Sequence, residues 1–75
     1  MEELREILTQ IHPEVDYDTE TGLIDHRIFD SFDVITLVGE LMDNFDVEIT
    51  AEQMVPNNFN SMQSIWKLLE ELMEE

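Results

Sequence analysis

The chain contains no cysteine. That absence excludes a disulfide scaffold, thiolate zinc sites, a cysteine nucleophile and Cys-x-x-Cys redox chemistry, and it leaves the redox compartment open. Positive charge is nearly absent as well: 3 bases stand against 19 acids, for a formal net charge of -16. Unspecific binding to a nucleic-acid backbone or an anionic membrane leaflet would be repulsive, so no nucleic-acid partner is expected and protein partners should be basic. No apolar run approaches the length needed to span a bilayer. The start, Met1-Glu2-Glu3-Leu4-Arg5, is acidic, unlike the basic head and apolar run of a secretory signal. A soluble, cytoplasmic, monomeric protein without membrane insertion is the expectation.

What is present suffices for one folded domain over residues 1–75. Such a length lies near the lower limit for a core that holds without disulfides or metal. The composition is 43% hydrophobic, with four Phe, one Tyr and one Trp, far from that of a disordered acidic tail.

Leu4, Ile7, Leu8 and Ile11 fall at i, i+3, i+4 and i+7, which predicts an amphipathic first helix ended by Pro13. From His12 to about Asp30 the periodicity is lost and turn formers dominate, so a long loop is expected, pinned inward by Leu23, Ile24, Ile28 and Phe29. Asp30 and Ser31 are good N-cap types for a second helix, with Asp33 in its first turn where the helix dipole favours an acid. Its apolar face is Val34, Leu37, Val38, Leu41 and Phe45; Asp33, Thr36, Glu40 and Asp43 lie opposite. Thr50 and Gln53 have the spacing of a capping box, and Pro56 leaves room for about one turn of a third helix, with Asn57-Asn58 as loop. Asn60-Ser61-Met62-Gln63 opens a last helix with Met62, Ile65, Trp66, Leu69, Leu72 and Met73 as its apolar side. Its end, with Glu70, Glu71, Glu74 and Glu75, opposes the dipole and should fray. The fold class is all-α: three long helices and one short, with a long loop between the first two.

Asp16, Asp18 and Glu20 have the first, third and fifth spacing of a calcium loop, but the turn glycine comes late at Gly22 and the position for the bidentate glutamate is Arg27. The acids read as a solvated loop, and no metal site is expected. His12 and His26 form no ligand spacing and read as ordinary exposed histidines. Ser31 has neither a glycine elbow nor a neighbouring imidazole, so hydrolytic catalysis is not expected.

The segment Ile28-Phe29-Asp30-Ser31-Phe32-Asp33-Val34-Ile35-Thr36-Leu37-Val38, with Phe45-Asp46-Val47-Glu48-Ile49-Thr50 after it, resembles the acyl and peptidyl carrier proteins. In that family an Asp-Ser-Leu or similar triplet opens the second of four helices and the serine carries 4'-phosphopantetheine. The triplet here is Asp30-Ser31-Phe32. A Phe-Asp-x-Glu-Ile stretch then closes the second helix, and Asn60-Ser61-Met62-Gln63-Ser64-Ile65 resembles the start of the carriers' last helix. The stretch from Leu23 to Phe29 and the interval from Glu48 to Ile65 look most like the D-alanyl carrier proteins and related stand-alone carriers. Three positions depart from the pattern: Arg27 stands where a glycine is frequent, Thr36 where a glutamate is usual, and Gly39 in mid-helix.

The resemblance implies a four-helix carrier bundle with phosphopantetheine attached to Ser31 and with no enzymatic activity of its own. Asp30 would help to present Ser31 to a magnesium ion holding the coenzyme A phosphates in the transferase complex. The implied partners are a phosphopantetheinyl transferase, an acyl- or aminoacyl-loading ligase and a downstream acyltransferase, each with a basic docking patch. Phe32, Asp33, Ile35, Glu40 and Asp43 are the candidate docking residues. Phe32 reads more readily as partly buried support for the loop, and Met42 and Trp66 read most simply as core or core-edge side chains. The competing expectation is an acidic helical interaction module, an inhibitor or nucleic-acid mimic, which has no use for Asp30-Ser31-Phe32 at a helix start.

Overall fold

Leu4, Ile7 and Leu8 are buried on one side of the first helix, and that stripe forms part of the core. The structure, a computed structural model, describes residues 2–74. Four α-helices are present among them: α1 (Glu2–Ile11), α2 (Ser31–Phe45), α3 (Pro56–Phe59) and α4 (Met62–Met73), with a 3-10 turn at Ala51–Gln53. The described residues contain no strand, and none of their helices is long and apolar enough to cross a membrane. α1 packs against α2 and α4, and α3 packs against α4.

The core joins Leu4 and Leu8 of α1, Leu37 and Leu41 of α2, Phe59 of α3 and Met62, Ile65 and Leu69 of α4, all essentially without solvent contact. Each such side chain contributes about 1.5–3 kcal/mol by burial. Phe45 and Trp66 meet edge to face at 6.1 Å on the rim of this core.

Residues 12–30 form no helix or strand, yet they are tied down along their length. Leu23 and Phe29 are buried, and Ile24 and Ile28 pack against the core from its edge. Tyr17 also turns inward, and its hydroxyl lies 2.8 Å from the Leu8 carbonyl oxygen and 2.9 Å from that of His12, sharing one proton between them. The far side hangs on Asn60, whose carbonyl accepts the Leu23 N–H at 2.8 Å. The Asn60 side-chain oxygen accepts the N–H groups of Ile24 and Asp25, each at 3.0 Å.

The region after α2 corrects the sequence reading. Pro56 starts α3 at its N1 position, and Asn57 and Asn58 are helical residues rather than loop. A proline at N1 fits because its missing N–H would have no partner inside the helix and its fixed φ is already helical. The Thr50–Gln53 pair closes only the 3-10 turn, where the Gln53 side chain accepts the Thr50 N–H at 3.0 Å. Asn60 caps the end of α3, and Ser61 is the N-cap of α4, its hydroxyl accepting the Ser64 N–H at 3.1 Å. Asp46 ends α2 in the left-handed region, φ 53°, a conformation that short polar side chains tolerate. At the other end the Glu74 N–H still bonds the Glu70 carbonyl, and Glu75, part of the end expected to fray, lies outside the described residues.

Candidate functional site

α2 begins at Ser31 because Asp30 caps it. Asp30 is extended, and its Oδ1 accepts the Asp33 N–H at 2.9 Å, which satisfies one of the helix's orphan donors. The Asp33 carboxylate reaches back toward the Asp30 N–H at 3.4 Å, completing a reciprocal box. Ser31 is therefore the first helical residue, exposed at the end where the dipole is positive. Close after it, Phe32 and Ile35 are 81% and 62% exposed, large apolar side chains left in solvent. The reading of Phe32 as partly buried loop support is corrected: it follows the first turn outward and supports nothing inside.

Ser31 opens on a groove of about 510 Å³ lined by Ile24, Phe29, Val34, Ile35 and Met54, with Arg27 and Asp30 at its polar end. A smaller cavity of about 150 Å³, lined by Val55, Pro56 and Phe59, shares Ile24, Val34 and Met54 with it. The groove thus continues from Ser31 toward α3. Arg27 sits in the left-handed region, φ 59°, after a turn in which the His26 N–H bonds the Gly22 carbonyl at 2.7 Å. Gly22 leaves room for the His26 ring: a Cβ there would lie 2.6 Å from it, so a larger residue requires the ring to shift. That ring is held by Glu20 at 2.8 Å, and the same contact, with the Gly22 N–H, holds the Glu20 carboxyl below its usual range.

The expected docking acids divide. Glu40 and Asp43 are exposed on the outer side of α2, with Glu40 accepting from Asn44 at 3.3 Å. Asp33 instead turns to the end of α1: its Oδ2 lies 2.7 Å from His12 Nε2, and only 27% of its side chain is exposed. A helix wheel places Asp33 with the outer acids, but α1 ends beside the first turn of α2 and claims it.

His12 is correspondingly not the ordinary exposed histidine of the sequence reading. Its other nitrogen lies 2.8 Å from Glu14 Oε2, and its ring stacks at a tilt on Phe29, centroids 5.0 Å apart. The hydrogen bond to Asp33 is the main cause raising its pKa, followed by the opposing effect of burial and then Glu14. The same contact is the main cause holding the Asp33 carboxyl below its usual range. Burial, with the charges of Glu14 and Asp33, pushes the Tyr17 hydroxyl up to about 12.

In the acidic loop, Asp18 pairs with Arg5 at 2.6 Å, and Asp16 Oδ1 accepts the Asp18 N–H at 3.1 Å. No group of three or more His, Cys, Asp or Glu among the described residues is placed to hold a metal ion. What the arrangement offers chemically is a solvent-facing hydroxyl at the positive end of a helix, beside an apolar groove and one guanidinium. The histidine rings are bonded to Glu14, Asp33 and Glu20 rather than to Ser31. The sequence pattern does not point to His12, Arg27 or Met54 as parts of this region; its only signals are a histidine at a helix end and an arginine at a position where carriers often have glycine. Compared with known proteins, the chain matches no family model, no curated protein and no solved structure.

Proposed function

We propose that the chain is an acyl carrier protein of the four-helix carrier type, modified on Ser31 with 4'-phosphopantetheine and similar in pattern to the D-alanyl carriers. The observation that carries the reading is the setting of Ser31: first residue of a 15-residue helix, exposed, capped by an acid and flanked by exposed Phe32 and Ile35 at the mouth of an apolar groove. The residues fit the group. A phosphodiester on Ser31 Oγ meets the N-terminal N–H groups of α2 and shares the groove mouth with Arg27. Asp30 and Asp33 oppose that anion, but the Asp33 carboxylate is turned to His12 at 2.7 Å.

In the loading reaction Ser31 Oγ bonds to the β-phosphorus of coenzyme A. The phosphoanhydride bond to adenosine 3',5'-bisphosphate breaks, and the hydroxyl proton passes to a base of the transferase. When bound, the group supplies a terminal thiol that holds an acyl or aminoacyl cargo as a thioester, with no cysteine in the chain to compete for it. Phe32, Ile35, Glu40 and Asp43 form the face for basic partner enzymes. The test is the intact mass after incubation with coenzyme A and a broad-specificity phosphopantetheinyl transferase.

A further inference from the structure

We infer that His12 is a positioning residue for Ser31: its imidazolium clamps the end of α1 to the cap of α2 and so holds the turn from which Ser31 is presented. This rests on the carrier reading for what is transferred to Ser31, but the geometry stands by itself. His12 follows directly on α1, with its N–H on the Leu8 carbonyl at 2.9 Å. Its Nε2 reaches Asp33 Oδ2 at 2.7 Å and its Nδ1 reaches Glu14 Oε2 at 2.8 Å. A neutral imidazole has one N–H and cannot donate to both carboxylates; only the doubly protonated ring can. Asp33 in turn is the partner of Asp30 in the capping box, through the contacts at 2.9 and 3.4 Å. A single chain of contacts thus runs from α1 through His12 and Asp33 to the residue before Ser31.

Polar groups face the ring from two sides. Glu14 and Tyr17 come from the loop, with the Tyr17 hydroxyl on the His12 carbonyl, and Asp33 and Asp30 come from the start of α2. Phe29, beside Asp30 and itself on the groove wall, is the surface the ring stacks on. Loss of the second proton leaves one neutral donor. The half-buried Asp33 is the better claimant for it, because the Glu14 side chain is 65% exposed and water can replace the bond. The clamp therefore weakens with rising pH but does not vanish, and removing the ring nitrogens has the larger effect.

Two variants separate this role from plain packing. His12→Phe keeps a ring against Phe29 and removes both donors; His12→Gln places an amide N–H near the Nε2 position and restores the bond to Asp33. For transfer of phosphopantetheine to Ser31, His12→Phe is expected to lower kcat about five- to tenfold, the scale of one net hydrogen bond lost, with little change in KM. His12→Gln should recover most of that rate and lose the pH dependence that distinguishes the parent from His12→Phe. In the unmodified protein, NMR should show the amides of Asp30, Ser31 and Asp33 titrating with the His12 ring, and this coupling should be absent in both variants. Amide shifts near Ser31 that ignore the His12 titration, or a His12→Phe variant loaded at the parental rate, overturn the inference. If the parent accepts no phosphopantetheine while the NMR coupling is present, the carrier reading fails and the clamp stands.

Discussion

The Asn60 carbonyl accepts the Leu23 N–H at 2.8 Å, joining the loop before Ser31 to the junction of α3 and α4. The Asn60 side chain adds its bonds to Ile24 and Asp25, so the loop is suspended from that junction at three consecutive residues. The groove wall formed by Ile24 and Arg27 depends on it.

Asn60→Ala removes the side-chain acceptor of two backbone N–H groups, one of them part-buried, and should cost about 1–3 kcal/mol. Urea unfolding measures the loss, and hydrogen exchange should accelerate at Ile24 and Asp25 while the amides in the middle of α4 keep their protection relative to global stability. Uniform acceleration, or no loss of stability, would show that the loop is held by its apolar residues alone.

The two glycines should respond in opposite directions. Gly39 is exposed in the middle of α2, and a Cβ added there would meet nothing within 4 Å, so Gly39→Ala should stabilise by about 0.5–1 kcal/mol. Gly22→Ala puts its methyl against the His26 ring, and the ring must swing off Glu20 to admit it. The expected result is a lower thermal midpoint and a Glu20 carboxyl that titrates closer to its ordinary value.

The His12–Asp33 pair carries a signed pH dependence. The folded pKa of His12 is raised, so the part of its contribution that depends on the ring's charge is complete below the unfolded value of about 6.5 and is lost as pH rises through the folded value, while the neutral ring keeps one donor. The Asp33 carboxyl is lowered, so the same pair is also lost at the acid end, as pH falls through its folded value. With a net charge of -16, acidification also relieves self-repulsion and raises total stability, which hides the pair's own profile. The stability difference between the parent and His12→Phe isolates it. That difference should be greatest between the two limits and shrink on both sides; a difference that grows above neutrality contradicts the assignment.

Screening should stabilise the protein. Its 19 acids repel one another over a Debye length of about 8–10 Å near physiological ionic strength. Thermal midpoints in low and moderate sodium chloride should rise with salt. A flat or falling series would mean that the acids are already compensated in the fold.

The helices are legible in the sequence because their apolar residues recur at 3.6-residue spacing and their caps are local: Asp30 before Ser31 and the stripe of Leu4, Ile7 and Leu8 need no tertiary information. Pro56 is ambiguous because a proline that ends one helix and a proline that starts another look alike in sequence; which holds depends on Phe59 packing behind it. Asp33 reads as an outer-face acid because the wheel of one helix cannot show that the end of another lies beside it. The outward Phe32 and Ile35 beside Ser31 are legible as candidate contacts, whereas Met54 and Arg27 of the groove wall come from segments without periodicity and are joined to it only by the tertiary fold.

The central claim is that Ser31 is the attachment point of a prosthetic arm. Intact-mass measurement after incubation with coenzyme A and a broad-specificity phosphopantetheinyl transferase should show the addition of one phosphopantetheine, located on Ser31 by fragmentation. Ser31→Ala should abolish the addition while leaving the helical circular dichroism and thermal midpoint unchanged, since the side chain is exposed. An unchanged parent mass, or an addition at Ser61 or Ser64, would contradict the account.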